Sequence, residues 1–135
     1  MRVIVCGGRD YRNIAFVWMT LDKLHAATPF TALMQGGQTG VDTFAKEWAR
    51  TIPELKDARF VCKAEWTKYG PAAGPIRNKK MLDWKPDCVI AFAGGPGTNN
   101  MIRQARSRGI RVIDVGAGDQ TRTGDHGLEA RCFSR

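Results

Sequence analysis

Three short apolar runs in this chain each end in a cluster of glycines that opens a helix-like segment. That repeated junction constrains the fold more than any other feature. Val3-Ile4-Val5-Cys6 leads into Gly7-Gly8-Arg9-Asp10, and Ala32-Leu33-Met34 leads into Gly36-Gly37-Gln38-Thr39-Gly40. Val89-Ile90-Ala91-Phe92 leads into Gly94-Gly95-Pro96-Gly97-Thr98. A strand that stops in glycines at a helix start gathers free backbone N–H groups and the positive end of the helix dipole at one spot, which suits a phosphate or another anion. A single glycine-rich turn also arises from packing alone. Three in the same context point to a chain built to hold a phosphorylated small molecule.

Between the clusters the pattern alternates strand and helix. Strands are expected at Arg2–Cys6, Ala32–Gln35, 59–64, 88–93 and 111–115. Ile14, Val17, Leu21 and Leu24 repeat at helical spacing. Val41, Phe44, Ala45, Trp48, Ala49 and Ile52 form a broad apolar stripe that Pro53 stops. A third helix is expected from Gly74-Pro75 to Met81 or Leu82, and a fourth from Thr98 to Ser107 with Gly109 as terminator. Residues 55–58 read as a plain connector. Strands separated by helices imply an α/β, Rossmann-like three-layer domain with a mostly parallel sheet of about five strands in the order 3-2-1-4-5. In such sheets ligands bind at the carboxyl ends of the strands, beside the point where the order reverses. Here that point falls between strands 1 and 4, where two of the glycine clusters lie. The domain is expected over 1–116, with a polar, loosely ordered tail over 117–135.

At 135 residues the chain is long enough for a real core without staples. Its net charge of +8 is not a tail effect. From Ala117 onward Asp119, Asp125 and Glu129 offset Arg122, Arg131 and Arg135, so the excess belongs to the folded part and favours anionic partners. Cys6, Cys62, Cys88 and Cys132 have no CxxC or CxH spacing, and three of them fall in expected strands as buried reduced thiols. The apolar run before Gly7 is too short for a signal-peptide core, and no stretch approaches a membrane span. The expectation is a cytoplasmic protein with no membrane partner.

The segment from Trp66 to Met81 carries the remaining chemistry. Arg77, expected in the first turn of the third helix, can fork onto a phosphate or carboxylate, or pair with a nearby Asp. Asn78 suits a ribose or phosphate contact, and equally capping or loop bracing. Lys79 and Lys80 read as solvated. Trp66 and Tyr69 suit stacking on a base, although packing of the loop onto the domain is the favoured reading.

The order of these motifs resembles the SLOG superfamily, in particular its YspA-like, cpYpsA-related branch, over about residues 1–115. The residues that carry it are Gly7-Gly8-Arg9-Asp10, then Gly36-Gly37-Gln38-Thr39-Gly40-Val41-Asp42, then Gly74-Pro75-Ile76-Arg77-Asn78, then Gly94-Gly95-Pro96-Gly97-Thr98. The chain is similar more distantly to the LOG (LONELY GUY) phosphoribohydrolases and to the DNA-processing protein A family. The resemblance implies a Rossmann-like fold that binds nucleotides or their derivatives. LOG enzymes split the N-glycosidic bond of nucleoside monophosphates, and their signature resembles R-K-x2-M followed by P-G-G-x-G-T-x2-E. Arg77, Met81, Gly94, Gly95, Gly97 and Thr98 match it, Asn78 replaces the lysine, and Met101 stands at the closing glutamate. An oxocarbenium-like transition state needs a carboxylate to stabilise it or to activate water. Methionine does neither.

Asp10 and Asp42 are the substitutes within reach of the expected crevice. Each suits ribose hydroxyls or catalysis, and each equally suits a helix N-terminal acid favoured by the dipole. Asp87 reads as a turn residue at the opposite end of the sheet, and Glu47 as solvated. His25 and His126 have no ligand-spaced partners, so neither a metal nor a cofactor is implied. No Walker A lysine follows a glycine loop. The expected ligand contacts are Gly7, Gly8, Arg9, Gly36, Gly37, Thr39, Gly40, Arg77, Asn78, Gly94, Gly95, Gly97 and Thr98, with Arg77, Asp10 and Asp42 as catalytic candidates. Three functions follow: a nucleotide-binding sensor or module, a nucleoside 5'-monophosphate N-glycosidase, and a nucleic-acid-binding protein suggested by the arginines at 103, 106, 108 and 111. The third is not favoured, because no DNA-reading motif is present. Related SLOG proteins commonly dimerise, and the helix faces carrying Trp18 or Trp48 suit such a contact or simple core packing.

Overall fold

The computed structural model describes residues 1–115; the expected tail and Cys132 lie outside them. Five strands, β1 (Arg2–Cys6), β2 (Ala32–Gln35), β3 (Arg59–Val61), β4 (Cys88–Ala91) and β5 (Arg111–Asp114), form one sheet in the order β3-β2-β1-β4-β5. Every pairing is parallel, with Ile4 opposite both Met34 and Val89. The expected order and class are therefore those observed. Helices α1 (Ile14–Ala27), α2 (Val41–Arg50), α4 (Ala73–Asp83) and α5 (Pro96–Ser107) cover the sheet, and α3 (Trp66–Tyr69) is a single short turn.

Side chains alternate across the pleat, so each strand feeds two cores. Val3, Val5, Cys88 and Ile90 face Val17, Leu21, Ala45 and Trp48 of α1 and α2. Ile4, Val89, Ala91 and Val112 face Met81 and Leu82 of α4 and Met101 and Ala105 of α5. Both faces of β1 and β4 are thus covered, which is why their sequences are continuous apolar runs rather than alternating ones. Burial of each large aliphatic side chain is worth about 1.5–3 kcal/mol, and these two cores fix the level at which the strands end.

Several expectations are corrected. Strands 3, 4 and 5 end sooner than expected, at Val61, Ala91 and Asp114. β3 is an edge strand with all three residues exposed. Cys62 consequently lies past its strand, and Cys6 and Cys62 are half-buried while Cys88 is buried. Ile14 is exposed, and Phe16 takes the core position at the start of α1. The 55–58 connector is not plain: Leu55, in a 3-10 turn at Pro53–Leu55, is fully buried. α5 starts two residues early because Pro96, with its fixed φ, occupies the first helical turn. α4 starts at Ala73, which puts Arg77 in its second turn rather than its first. Trp48 is buried against His25 and Phe30 and presents no surface to a second copy, and the indole N–H of the half-buried Trp18 donates to the Phe44 carbonyl at 3.1 Å. His25 is structural: its Nδ1 accepts the Phe30 N–H at 2.9 Å. Asp87 accepts from the Arg2 N–H at 2.8 Å at the amino end of the sheet, as expected of a turn residue there.

Gly40, the residue before α2, has φ +72°, and a Cβ there would lie 2.2 Å from the Gly8 carbonyl oxygen. Gly109, after α5, has φ +73° with nothing within 4 Å of a Cβ. Gly109→Ala should therefore cost about 1 kcal/mol, the ordinary left-handed penalty. Gly40→Ala should cost roughly 3 kcal/mol or more, because backbone must also move. Urea denaturation of the two variants measures the difference, and equal losses would refute the contact between the first two loops as a constraint.

Candidate functional site

The loops after β1, β2 and β4 meet in one cleft of about 880 Å³ at the carboxyl edge of the sheet. Backbone hydrogen bonds stitch them together. The Gly8 N–H donates to the Ala93 carbonyl at 2.8 Å, and the Gly8 carbonyl accepts from Val41 at 3.2 Å. Thr39 joins the first loop to the second, its hydroxyl donating to the Arg9 carbonyl at 2.9 Å. Of the expected contacts, Gly7, Gly8, Arg9, Gly36, Arg77, Asn78, Gly94, Gly95, Gly97 and Thr98 line the cleft, as do Asp10 and Asp42. Gly37, Thr39 and Gly40 do not. Gly37 backs onto Val61 and Lys63, and Gly40 onto the first loop.

On one wall, α5 begins with Gly95 as an N-cap that supplies no side-chain hydrogen bond, followed by Pro96. The Asn99 N–H bonds to the Gly95 carbonyl at 3.0 Å. The N–H groups of Gly97 and Thr98 precede it in the first turn, where a helix has no internal acceptor. Thr98 is buried beside Gly94, its hydroxyl on the position a Gly94 Cβ would take.

On the facing wall, the Arg77 guanidinium is locked by neutral groups rather than by an Asp. Its Nη1 donates to the Gly36 carbonyl at 2.8 Å and to the Cys62 carbonyl at 3.3 Å, and its Nε to Asn78 Oδ1 at 3.0 Å. Asn78 is a loop brace: buried, it donates through Nδ2 to the Gly97 carbonyl and to Asn100 Oδ1, both at 3.1 Å. Gln104 continues the chain, donating to Asn100 Oδ1 at 2.7 Å and to the Pro75 carbonyl at 3.1 Å. Sequence reasoning missed Asn100 and Gln104 as members of this network. The i, i+4 spacing of Asn100 and Gln104 on one helix was the available signal.

Asp42, only 5% exposed, opens α2 at the cleft floor and accepts the Gln38 N–H at 3.1 Å. Burial pushes its carboxyl up to about 6, against the opposing pull of the Gln38 and Gly36 N–H groups and of the Arg77 and Arg9 charges. Burial, with Asp42 nearby, also drives the Cys6 thiol well above its usual range, so no thiolate nucleophile faces the cleft. Asp10 is exposed at the mouth. Met101 is 1% exposed, packed in the second core beneath the cleft.

Trp66 corrects the packing expectation: it is 46% exposed and lines the cleft, while Tyr69 is half-buried under the Lys68 ammonium. Lys79 and Lys80 are solvated, reaching Asp83 and Glu65 at 3.4 and 3.5 Å. The four arginines near the end of α5 separate: Arg103 lines the cleft, Arg106 is exposed, Arg108 pairs with Asp83 at 2.9 Å, and Arg111 is a half-buried strand residue. Among the described residues no three His, Cys, Asp or Glu side chains cluster to hold a metal, and no helix is long and apolar enough to cross a membrane.

Residues 1–69 match the sequence profile of the YspA, cpYpsA-related SLOG family. The chain belongs to that family. The matched stretch takes in the first two glycine loops and ends three residues past Trp66. The chain is also similar to the Gene 61 protein of Mycobacterium phage D29, with 32% identity over 126 residues, covering 85% of this chain and 96% of the phage protein. SLOG membership suggests nucleotide-related binding or processing, and in this SLOG protein the Rossmann-like sheet brings the glycine loops to one cleft.

The raised Asp42 carboxyl has a thermodynamic consequence. Between about pH 4 and pH 6 the folded protein keeps a proton that the unfolded chain releases, so stability falls as pH rises through that window and is flat above it. Asp42→Asn lacks this proton. The stability of wild type relative to Asp42→Asn should drop by on the order of 1–3 kcal/mol from pH 4 to pH 7. Denaturant titrations at both pH values test it, and a constant difference would mean that the carboxyl is not desolvated.

Proposed function

We propose that this SLOG protein binds a nucleotide or nucleotide-derived phosphorylated molecule in the glycine-lined cleft, as a sensor or binding module. The observation that carries the reading is the uncapped N-terminus of α5 opening into a cleft that also holds Arg77 and the buried Thr98. A phosphate there accepts from the N–H groups of Gly95, Gly97 and Thr98 and from the Thr98 hydroxyl, at the positive end of the α5 dipole. Arg77 presents Nη2, the nitrogen not used on Gly36 and Cys62, from the opposite wall. Gly7, Gly8 and Arg9 line the approach, and the missing Cβ of Gly36 makes room for the Arg77 guanidinium beside Asp42. Met101 in the floor supports binding over turnover, since it supplies no charge to a reacting glycosidic bond.

A second reading, N-glycosidase action on a nucleoside 5'-monophosphate, is favoured by one observation. Asp42 is a buried carboxyl in the same cleft whose proton is exchangeable near pH 6, which suits general acid–base work. The two readings separate by experiment. Nucleoside monophosphates titrated against wild type should bind. Arg77→Ala should weaken them about 10- to 100-fold, the loss of a charged hydrogen bond. Thr98→Val, which leaves the Arg77 braces intact, should weaken them by a smaller factor. Chromatography of the same mixtures should show no free base. Base release that disappears in Asp42→Asn would establish the glycosidase, and unchanged affinity in both Arg77→Ala and Thr98→Val would sink the phosphate geometry.

A further inference from the structure

Trp66 is an unusual surface residue. The α3 turn that carries it is four residues long, the Glu65 side chain caps none of its N–H groups, and none of its residues is fully buried. A Cβ added at Gly74 would lie 3.5 Å from the tip of the ring, so the indole reaches to beside the start of α4, and Pro71 and Pro75 line the cleft with it. A large aromatic surface thus lines the cleft and is left half-open to solvent.

The Arg9 guanidinium lies over this ring at 5.9 Å from its centroid. The same chain shows what a closed contact looks like: Arg2 sits 4.3 Å over Trp84, which is further flanked by Phe60. The Arg9–Trp66 gap is too wide for direct stacking and too narrow, by about 1 Å, for a planar ring between two contacts of about 3.5 Å each. Arg9 is exposed at the end of the first loop, so a side-chain adjustment supplies that opening.

We propose that Arg9 and Trp66 form the base subsite of the cleft, taking a planar nucleobase between guanidinium and indole. The cleft then discriminates a nucleotide from a bare sugar phosphate. This deepens the phosphate-anchored reading above and rests on it for the placement of the rest of the ligand. The indole face supplies stacking to any base, and the cation adds attraction to the base's other face, so the subsite selects aromatic rings without reading their edges.

Calorimetric titration of the four nucleoside monophosphates, the corresponding nucleosides and ribose 5-phosphate tests it, using wild type, Trp66→Ala, Trp66→Phe and Arg9→Ala. Wild type should bind at least one monophosphate about 10-fold or more tighter than ribose 5-phosphate. Trp66→Ala should bring that monophosphate down to the ribose 5-phosphate level and leave ribose 5-phosphate unchanged, which also shows that the variant is folded. Trp66→Phe should retain most of the preference, and Arg9→Ala should lose part of it. Equal wild-type affinities, a Trp66→Ala variant that keeps the preference, or one that weakens both ligands alike would each overturn the base subsite. Ribose 5-phosphate binding without a base preference leaves the phosphate reading standing and removes the subsite. Trp66-dependent nucleoside binding without ribose 5-phosphate binding does the reverse, and no binding of any of them removes both.

Discussion

The cleft exists because the backbone of Gly8 is shared between two neighbours. Its N–H is taken by Ala93 after β4 and its carbonyl by Val41 at the start of α2. In a parallel sheet the strands end at one edge, and the chain must turn there while its backbone groups still find partners. Gly8 satisfies that demand for three loops at once, and Gly40 leaves room for it to do so. A side chain crowding either contact would push the loops apart and, with them, the walls of the site.

On this frame the walls are set by neutral hydrogen bonds around charged groups. Arg77 is oriented by the carbonyls of Gly36 and Cys62 and by Asn78, and Asn78 in turn holds the Gly97 carbonyl and Asn100. One network therefore ties α4 to α5 and the second glycine loop to the third. The acceptors that fix the guanidinium carry no full charge, and the charged group that faces it at the cleft floor is a carboxyl. Asp42 is the counterweight. Its carboxyl is desolvated and titrates near 6, so the charge balance at the cleft floor changes in a range where a phosphate ester also changes ionisation.

The fold was legible because its signals are local and repeated. Val3-Ile4-Val5 and Val89-Ile90-Ala91 read as strands covered on both faces, and both are. The glycine clusters marked the loops, and the strand order is that of the half-Rossmann arrangement expected for such an alternation. Legibility failed at edges. β3 stopped at Val61 because an edge strand has a partner on one side only, and Leu55 was passed over because a single buried leucine in a short turn has no period. Asn78 and Trp66 stayed open for a related reason: each has two chemically sensible environments, and nothing nearby in the sequence chooses between them.

The sequence by itself determined the alternation of strands and helices, the placing of glycines where the backbone must pass closely, and the presence of Arg77, Asp42 and Thr98 near one edge of a sheet. Those depend on spacing along the chain and on the intrinsic freedom of each residue. Only the tertiary structure decided that Asp42 is desolvated, that Arg77 is held by carbonyls instead of an acid, that Thr39 and Gly40 join the loops together, and that Trp66 faces the cleft. Each of those depends on atoms brought together from positions distant in sequence, and burial and hydrogen-bond choice are properties of that meeting rather than of the residues alone.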